Sequence, residues 1–558
     1  MTPEILHLHT YILFPFSIDK QAVLEVHAEI WERHPHWIEG LDEWMTAHGS
    51  RPDAPVIERL GRWQRSAYSQ FDMDSPAYQD MVFFHPFVRR VFFDTIQTPT
   101  VAGEKEALLR CYTIPIPEGS RLWFEGRDQK GRGAKVEVTD LRLFMFANGI
   151  GILSIGIEAL RLSATEALWI NESLRKVYPS SGRQLRESRS CNRMAFILER
   201  GGQEETIAEE RFETGEIKGF HPPLARTLTA LLYFANYDRL EIEPVLDERM
   251  IVYTYAALDP ATFPPDYLHS EEYQELLSRF LYVDRAGSGY RYEPEFTRNQ
   301  MQQHLYRRWA HQGTYYGFTS YSNITVALGN FDCDEHVLRE GFLIHRMFTS
   351  RYYLMALVAL FYRATLLDFA ERTALVSKQL FLDMEDGRLT LDKMHLANQL
   401  RSEFLHFSNY WFFDELANKD EETEHFEMQC RGYHIASKKA EVEEEIEKLD
   451  ALLHSFSQLR NTEAVNRLAM LSLIFGAGAV LTGFFGMNFG RDFAKVFFEP
   501  EPPFLATHYT ALLVVAFLAL GALAFGFYVV ISNWSDYKEI LTPRSPHSAR
   551  RKGSGKQG

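Results

Sequence analysis

LAMLSLIFGAGAVLTGFFGMN, residues Leu468 to Asn488, is the stretch on which the reading of the whole chain turns. It carries no charged side chain and fills the roughly 20 positions that a helix needs to cross a bilayer, so it predicts a transmembrane helix over 468–488. A second uncharged stretch, Thr510 to Ile531, predicts another span over 508–532, with a short loop over 489–507 between them. Two spans near the C-terminus behind a long and mostly polar region imply a membrane protein with one dominant soluble part.

Upstream of the first span, Ile435, Val442, Ile446, Leu449, Leu453 and Phe456 recur mostly at spacings of four and three, the seam of a bundled helix. Glu441, Glu443, Glu444, Glu445, Glu447 and Asp450 occupy the positions between them. No Gly or Pro interrupts the run before Gly476, so a stalk helix over 434–467 is expected to continue into the span.

The arrangement resembles the CorA family of magnesium channels (CorA/ZntB-like), in which a penultimate helix ends in Gly-Met-Asn and a last helix follows a short loop. The residues that carry the resemblance are GFFGMNFG, Gly483 to Gly490, preceded by the long charged helix. It covers the chain from the stalk to the C-terminus, and everything before the stalk only as a pattern. The chain departs from the family in having Gly476-Ala477-Gly478 where a mid-helix proline is common. It also lacks a Met-Pro-Glu-Leu string after Asn488, its basic tail is diluted, and its N-terminal region is longer. The resemblance implies a homopentamer in which five copies of the first span line a pore, with Gly486, Met487 and Asn488 as selectivity filter.

Mg²⁺ sheds its waters reluctantly, so a filter serves it best by offering hydrogen-bond acceptors at the radius of the hydrated ion. A ring of Asn488 carbonyls does this without a full charge that would trap the ion. Gly486 permits a sharp turn at the helix end, and Met487 packs to hold that turn. Stepping back from Gly483 by fours and threes gives Ala479, Gly476, Ser472, Leu468 and Val465 on one side of the helix. Gly483, Ala479, Gly476 and Ser472 are small, which suits either a pore lining or close helix packing. Leu468 and Val465, toward the cytosolic end, fit a hydrophobic gate that closes by dewetting. In the loop, Glu499 and Glu501 fit an outer acidic ring that concentrates cations, or a rigid Pro-rich turn with solvated charges. In the resembled family, acidic groups between cytosolic subunits bind Mg²⁺ and close the channel, and Glu447 and Asp450 are the candidates for that role by proximity.

Charge sets the expected orientation. The tail carries Lys538, Arg544, Arg550, Arg551, Lys552 and Lys556, against Arg491 and Lys495 in the loop, which places both termini in the cytoplasm. A membrane potential of 100 mV is worth about 4.6 kcal/mol for a divalent ion, close to three decades of accumulation, so no pump is needed. No P-loop motif is present.

The region 1–330 reads as α/β. Strands are expected over Ile5 to Ile18, Ala107 to Ile116, Arg121 to Arg127, Ala134 to Phe146, Ile150 to Glu158, Arg249 to Ala257 and Tyr315 to Leu328. Helical stretches fall around Lys20 to Ala47 and Pro55 to Asp94, and Asn148-Gly149 predicts a two-residue hairpin turn. Helix is expected from Glu335 to about Leu382 and from Leu391 to Asn418, with a solvated turn at Lys419 to Glu422. Tyr352 to Tyr362 is apolar, yet Arg351 and Arg363 bracket it well short of the length a bilayer requires, so it predicts a buried core helix and not a span.

The expected architecture is an α+β membrane protein: a cytosolic α/β domain with a mixed sheet over 1–330, a cytosolic helical region over 331–433, the stalk, two transmembrane helices and a basic cytosolic tail over 533–558. A net charge of -16 disfavours nucleic acid as a partner. Cys111, Cys191, Cys333 and Cys430 form no CxxC pair and point to a reducing compartment. The N-terminus has no basic residue before Lys20 and does not read as a signal peptide.

His7 and His9 share one face of a strand, His34 and His36 flank Pro35, and Asp332 to His336 is rich in ligand types. Each lacks a second group at metal-ligand spacing and is expected to be structural. No nucleophile, base and orienting group stand together, so an enzyme is not expected.

The expected activity is therefore passive divalent-cation transport, foremost Mg²⁺ uptake, in the cell membrane (inner or plasma), with lipid and further copies of the chain as partners. Mg²⁺ is both transported ion and possible regulatory ligand, and no cofactor is implied. A Zn²⁺, Co²⁺ or Ni²⁺ transporter of the same fold, or a membrane-anchored sensor with a non-conducting pore, are the alternatives.

Overall fold

The computed structural model describes residues 4–34, 36–47, 55–66, 82–94, 108–178, 191–212, 224–237, 241–246, 249–263, 269–286, 291–328, 343–385 and 391–486, with isolated positions between 513 and 528. The described residues up to Lys448 fall in one compact unit and those from Leu449 in a second.

Thirteen strands among the described residues form one mixed sheet: β1 (Glu4–Ile18), β2 (Gln64–Arg65), β3 (Leu109–Thr113), β4 (Ser120–Asp128), β5 (Gly133–Phe146), β6 (Ile150–Ser163), β7 (Cys191–Arg200), β8 (Gln203–Arg211), β9 (Ile242–Pro244), β10 (Ile251–Leu258), β11 (Leu305–Tyr306), β12 (Tyr315–Phe318) and β13 (Ser322–Leu328). The main path runs β11-β12-β13-β10-β1-β6-β5-β4-β7-β8. β10 and β13 pair in parallel and the other pairs are antiparallel.

β1 lies between β10 and β6 and is one strand of 15 residues, buried along almost its whole length. A strand covered on both faces must be apolar on both, which explains its nearly continuous run of Ile, Leu, Phe and Tyr. Leu8, Ile12, Phe14 and Phe16 enter the main core. On the opposite side of the pleat, Tyr11 packs against Tyr353, and His9 and Tyr11 against Phe348.

Phe348 belongs to the helix Leu343–Thr349 and Tyr353 to the helix Arg351–Glu385. Residues 343–382 are long and apolar enough to cross a membrane, but 72% of the most apolar window is buried within the protein. Tyr352 to Tyr362 is thus a core segment, as its flanking arginines imply.

The turn at Asn148-Gly149 has three residues, not two. Gly149 N–H donates to Phe146 O at 3.0 Å and Gly149 alone adopts a positive φ, +99°. Asn148 Oδ1 instead accepts from Ile150 N at 3.2 Å while its Nδ2 donates to Thr365 at 2.9 Å, which fixes the longer loop. Tyr315 to Leu328 splits into the antiparallel pair β12 and β13.

The helix expected to reach Asn418 ends at His406 in a π-helical turn, Phe407–Trp411. Asp420 to Glu422 open the helix Asp420–Gly432 instead of forming a turn, because three carboxylates suit the positive end of a helix dipole. The helix Ile435–Gly486 follows, with Ile435, Val442, Ile446, Leu449 and Leu453 buried and Phe456 half-buried.

Candidate functional site

Two groups of residues bear on chemistry. The first is the C-terminal motif. The helix Ile435–Gly486 extends without a break to the first residue of Gly-Met-Asn. Met487 and Asn488 lie outside the described residues, as do Glu499, Glu501 and nearly all of the expected second span.

Of the expected pore face, Val465, Leu468, Ser472, Gly476, Ala479 and Gly483 are all exposed in the single chain. Ser472 Oγ donates back to Leu468 O at 2.8 Å, so its hydroxyl is satisfied within the helix. A Cβ added at Gly476 or Gly483 meets no described atom within 4 Å. Leu471 and Phe475, which are not on that stripe, are exposed as well, Phe475 at 73%. Farther down the helix, Glu447 is exposed and Asp450 half-buried.

The second group lies in the N-terminal unit. His7 and His9 are two apart on β1 and so share a face of the pleat. Glu158 of β6 stands opposite His9 in the ladder and reaches diagonally to His7, with His7 Nε2 and Glu158 Oε1 2.6 Å apart. His345, from the helix Leu343–Thr349, closes the group, its Nε2 2.8 Å from His9 Nδ1.

All four residues are buried, and one potential ligand atom from each lies within 4.8 Å of the others. Tyr255 stands at the edges of His7 and His345, and Phe348 beside His9. Burial, with the neighbouring His345, His7 and Arg142, pushes His9 well below the usual imidazole range. Burial beside His7 likewise holds His345 down to about 3. Both rings are therefore neutral at physiological pH, the state in which imidazole offers a lone pair.

The expectation that His7 and His9 lack further ligands is overturned. The missing groups come from positions 151 and 336 residues away along the chain, beyond any local spacing rule. His34, by contrast, pairs with Glu43 at 3.0 Å near the surface, and Asp332 to His336 lies outside the described residues.

No protein-family model matches this chain, and no curated protein matches it. Among solved structures it is similar to the complete structure of the CorA magnesium transporter from Methanocaldococcus jannaschii. That likeness has 12% sequence identity and a TM-score of 0.21, and covers 51% of this chain and 91% of that one. A TM-score this low carries no argument about fold or activity, so the functional reading rests on the residues themselves.

Cys111 and Cys191 are buried and unbridged, and burial raises Cys191 to about 11, so these thiols are inert packing groups. Cys333 lies outside the described residues.

Proposed function

We propose that this chain forms a CorA-like conduit for divalent cations in the cell membrane, with passive Mg²⁺ uptake as its main activity. The observation that carries the reading is a 52-residue helix that leaves an acidic segment, continues through an uncharged stretch and ends at Gly486 in GFFGMNFG.

Support also comes from exposure. Leu468, Leu471 and Phe475, and farther on Leu513, Val514, Phe517 and Leu520, are large apolar side chains left open in the single chain. Such clustering calls for lipid or for further copies of the chain around it.

In this reading Gly486, Met487 and Asn488 form the filter, and Ser472, Gly476, Ala479 and Gly483 line the pore of a homopentamer. Val465 and Leu468 are its gate, Glu499 and Glu501 an outer acidic ring, and Glu447 and Asp450 a regulatory Mg²⁺ site. Both termini are cytoplasmic. The protein has no enzymatic activity, needs no resident cofactor for transport and does not bind nucleic acid.

The test is divalent flux into liposomes holding the purified protein, with Mg²⁺, Zn²⁺, Co²⁺ and Ni²⁺ compared. Voltage-driven Mg²⁺ uptake that disappears in Asn488→Ala is the expected result. Uptake of Zn²⁺ alone moves the assignment to a zinc transporter of the same architecture, and no flux of any ion leaves the N-terminal unit as the working part.

A further inference from the structure

We propose that His7, His9, Glu158 and His345 form a closed binding site for a borderline first-row divalent ion, foremost Zn²⁺, in the interior of the N-terminal unit. The proposal stands independently of the transport reading.

The donor set selects the metal class. Three imidazoles and one carboxylate suit Zn²⁺ and its first-row neighbours, whereas Mg²⁺ prefers an octahedral shell of oxygens and keeps several waters. Geometry agrees with this choice. Zinc bonds of about 2.0–2.1 Å place tetrahedral ligand atoms about 3.3 Å apart. The two hydrogen-bonded pairs stand at 2.6 Å and 2.8 Å, and one atom from each residue lies within 4.8 Å of the rest. Opening each close pair by roughly half an ångström would bring the four atoms toward tetrahedral spacing.

The surroundings have the features of a metal shell. His9 Nε2 stands 3.4 Å from Thr139 Oγ1 of β5, so a second group orients the ring. Tyr255 and Phe348 pack against the cluster, and all four candidate ligands are buried.

Four protein ligands complete a tetrahedron and leave no position for substrate, so the role is structural. The ion would join β1 and β6 at the centre of the sheet to the helix Leu343–Thr349.

The test uses full-length protein purified without a histidine tag. Elemental analysis should find about one zinc-class ion per chain. His345→Ala should lose it, and Glu158→Gln should weaken it at least about tenfold in a chelator competition. Asn488→Ala, outside this cluster, should retain the ion, which separates the site from anything bound at the pore.

Because a substituted core residue can fail to fold, wild-type protein is also stripped with a chelator and melted. Stoichiometric Zn²⁺, but not Mg²⁺, should restore a lowered melting temperature. Stripped wild type that melts unchanged on adding Zn²⁺, or an ion lost from Asn488→Ala yet retained in His345→Ala, overturns the site.

Discussion

Arg65 grips the carboxylate of Asp94 with two hydrogen bonds, from Nε at 3.0 Å and from Nη2 at 2.6 Å. Asp94 is completely buried, and Cys111 N donates to it at 3.1 Å while Arg110 Nη1 approaches to 3.4 Å. One carboxylate therefore ties β2 and β3, at the side of the sheet, to the end of the helix Pro86–Phe92. Asp94→Ala should cost about 3–5 kcal/mol, because it strands two guanidinium groups beside a buried vacancy. Asp94→Asn should cost less, as it keeps an acceptor and loses the charge. Denaturation midpoints of the two variants check this, and equal losses would contradict the charge argument.

His425 predicts an acid limb in stability. It lies in the helix Asp420–Gly432, enclosed by Tyr306, Tyr316 and Tyr352, and its Nε2 has no hydrogen-bond partner among the described residues. Burial, helped by the Arg308 charge, pushes it down to about 3; Glu421 and Glu424 face the surrounding tyrosines. Below pH 6.5 the unfolded imidazole takes up a proton that the folded one refuses. Its contribution is therefore complete above pH 6.5 and is lost progressively down to about pH 3, at up to roughly 1.4 kcal/mol per pH unit. His9 and His345 act in the same direction, so the measurement is a difference. His425→Phe keeps the ring and removes the proton site, and melting temperatures from pH 4.5 to 7.5 should fall less steeply for it than for wild type.

The centre of the sheet was legible from the sequence because its signals are local. The apolar run of β1, the alternation in β5 and β6 and the arginine brackets around Tyr352 to Tyr362 are each readable within a short window. The β7–β8 hairpin carries such a signal as well, Gly201-Gly202, both at positive φ. The histidine cluster had none: its members meet only because β1 pairs with β6 and a later helix covers that face. Hydrophobic periodicity records which face is buried and not which distant segment buries it, so polar groups gathered across a sheet stay invisible until the topology is known.

Gly151 separates steric from conformational demands. It lies on β6 against Phe16 of β1, and a Cβ there would sit 2.2 Å from the ring carbon Cζ. Phe16 is itself fully buried and has no room to withdraw. Gly151→Ala should destabilise by about 1–3 kcal/mol through overpacking. Phe16→Leu makes space, so the double variant should recover more than about 0.5 kcal/mol relative to the sum of the single losses. Strict additivity in a double-mutant cycle would show that the glycine serves the backbone and not the contact.

The two readings of the small residues on the helix Ile435–Gly486 diverge under enlargement. If Gly476 faces a water-filled pore, Gly476→Leu narrows the path and should cut flux severely while the assembly stays intact. If it faces a neighbouring helix, the same change holds the backbones apart and should weaken the assembly itself. Flux and cross-linked oligomer size measured on the same preparation separate the two outcomes. The proposed gate gives an independent check, because dewetting requires apolar walls: if Leu468 lines it, Leu468→Asn should wet it and raise basal flux several-fold. The melting temperature of the N-terminal unit should not change, since Leu468 is 66% exposed and contributes little packing in the single chain. Unchanged flux in Leu468→Asn alongside abolished flux in Gly476→Leu would keep the pore face and move the gate away from Leu468.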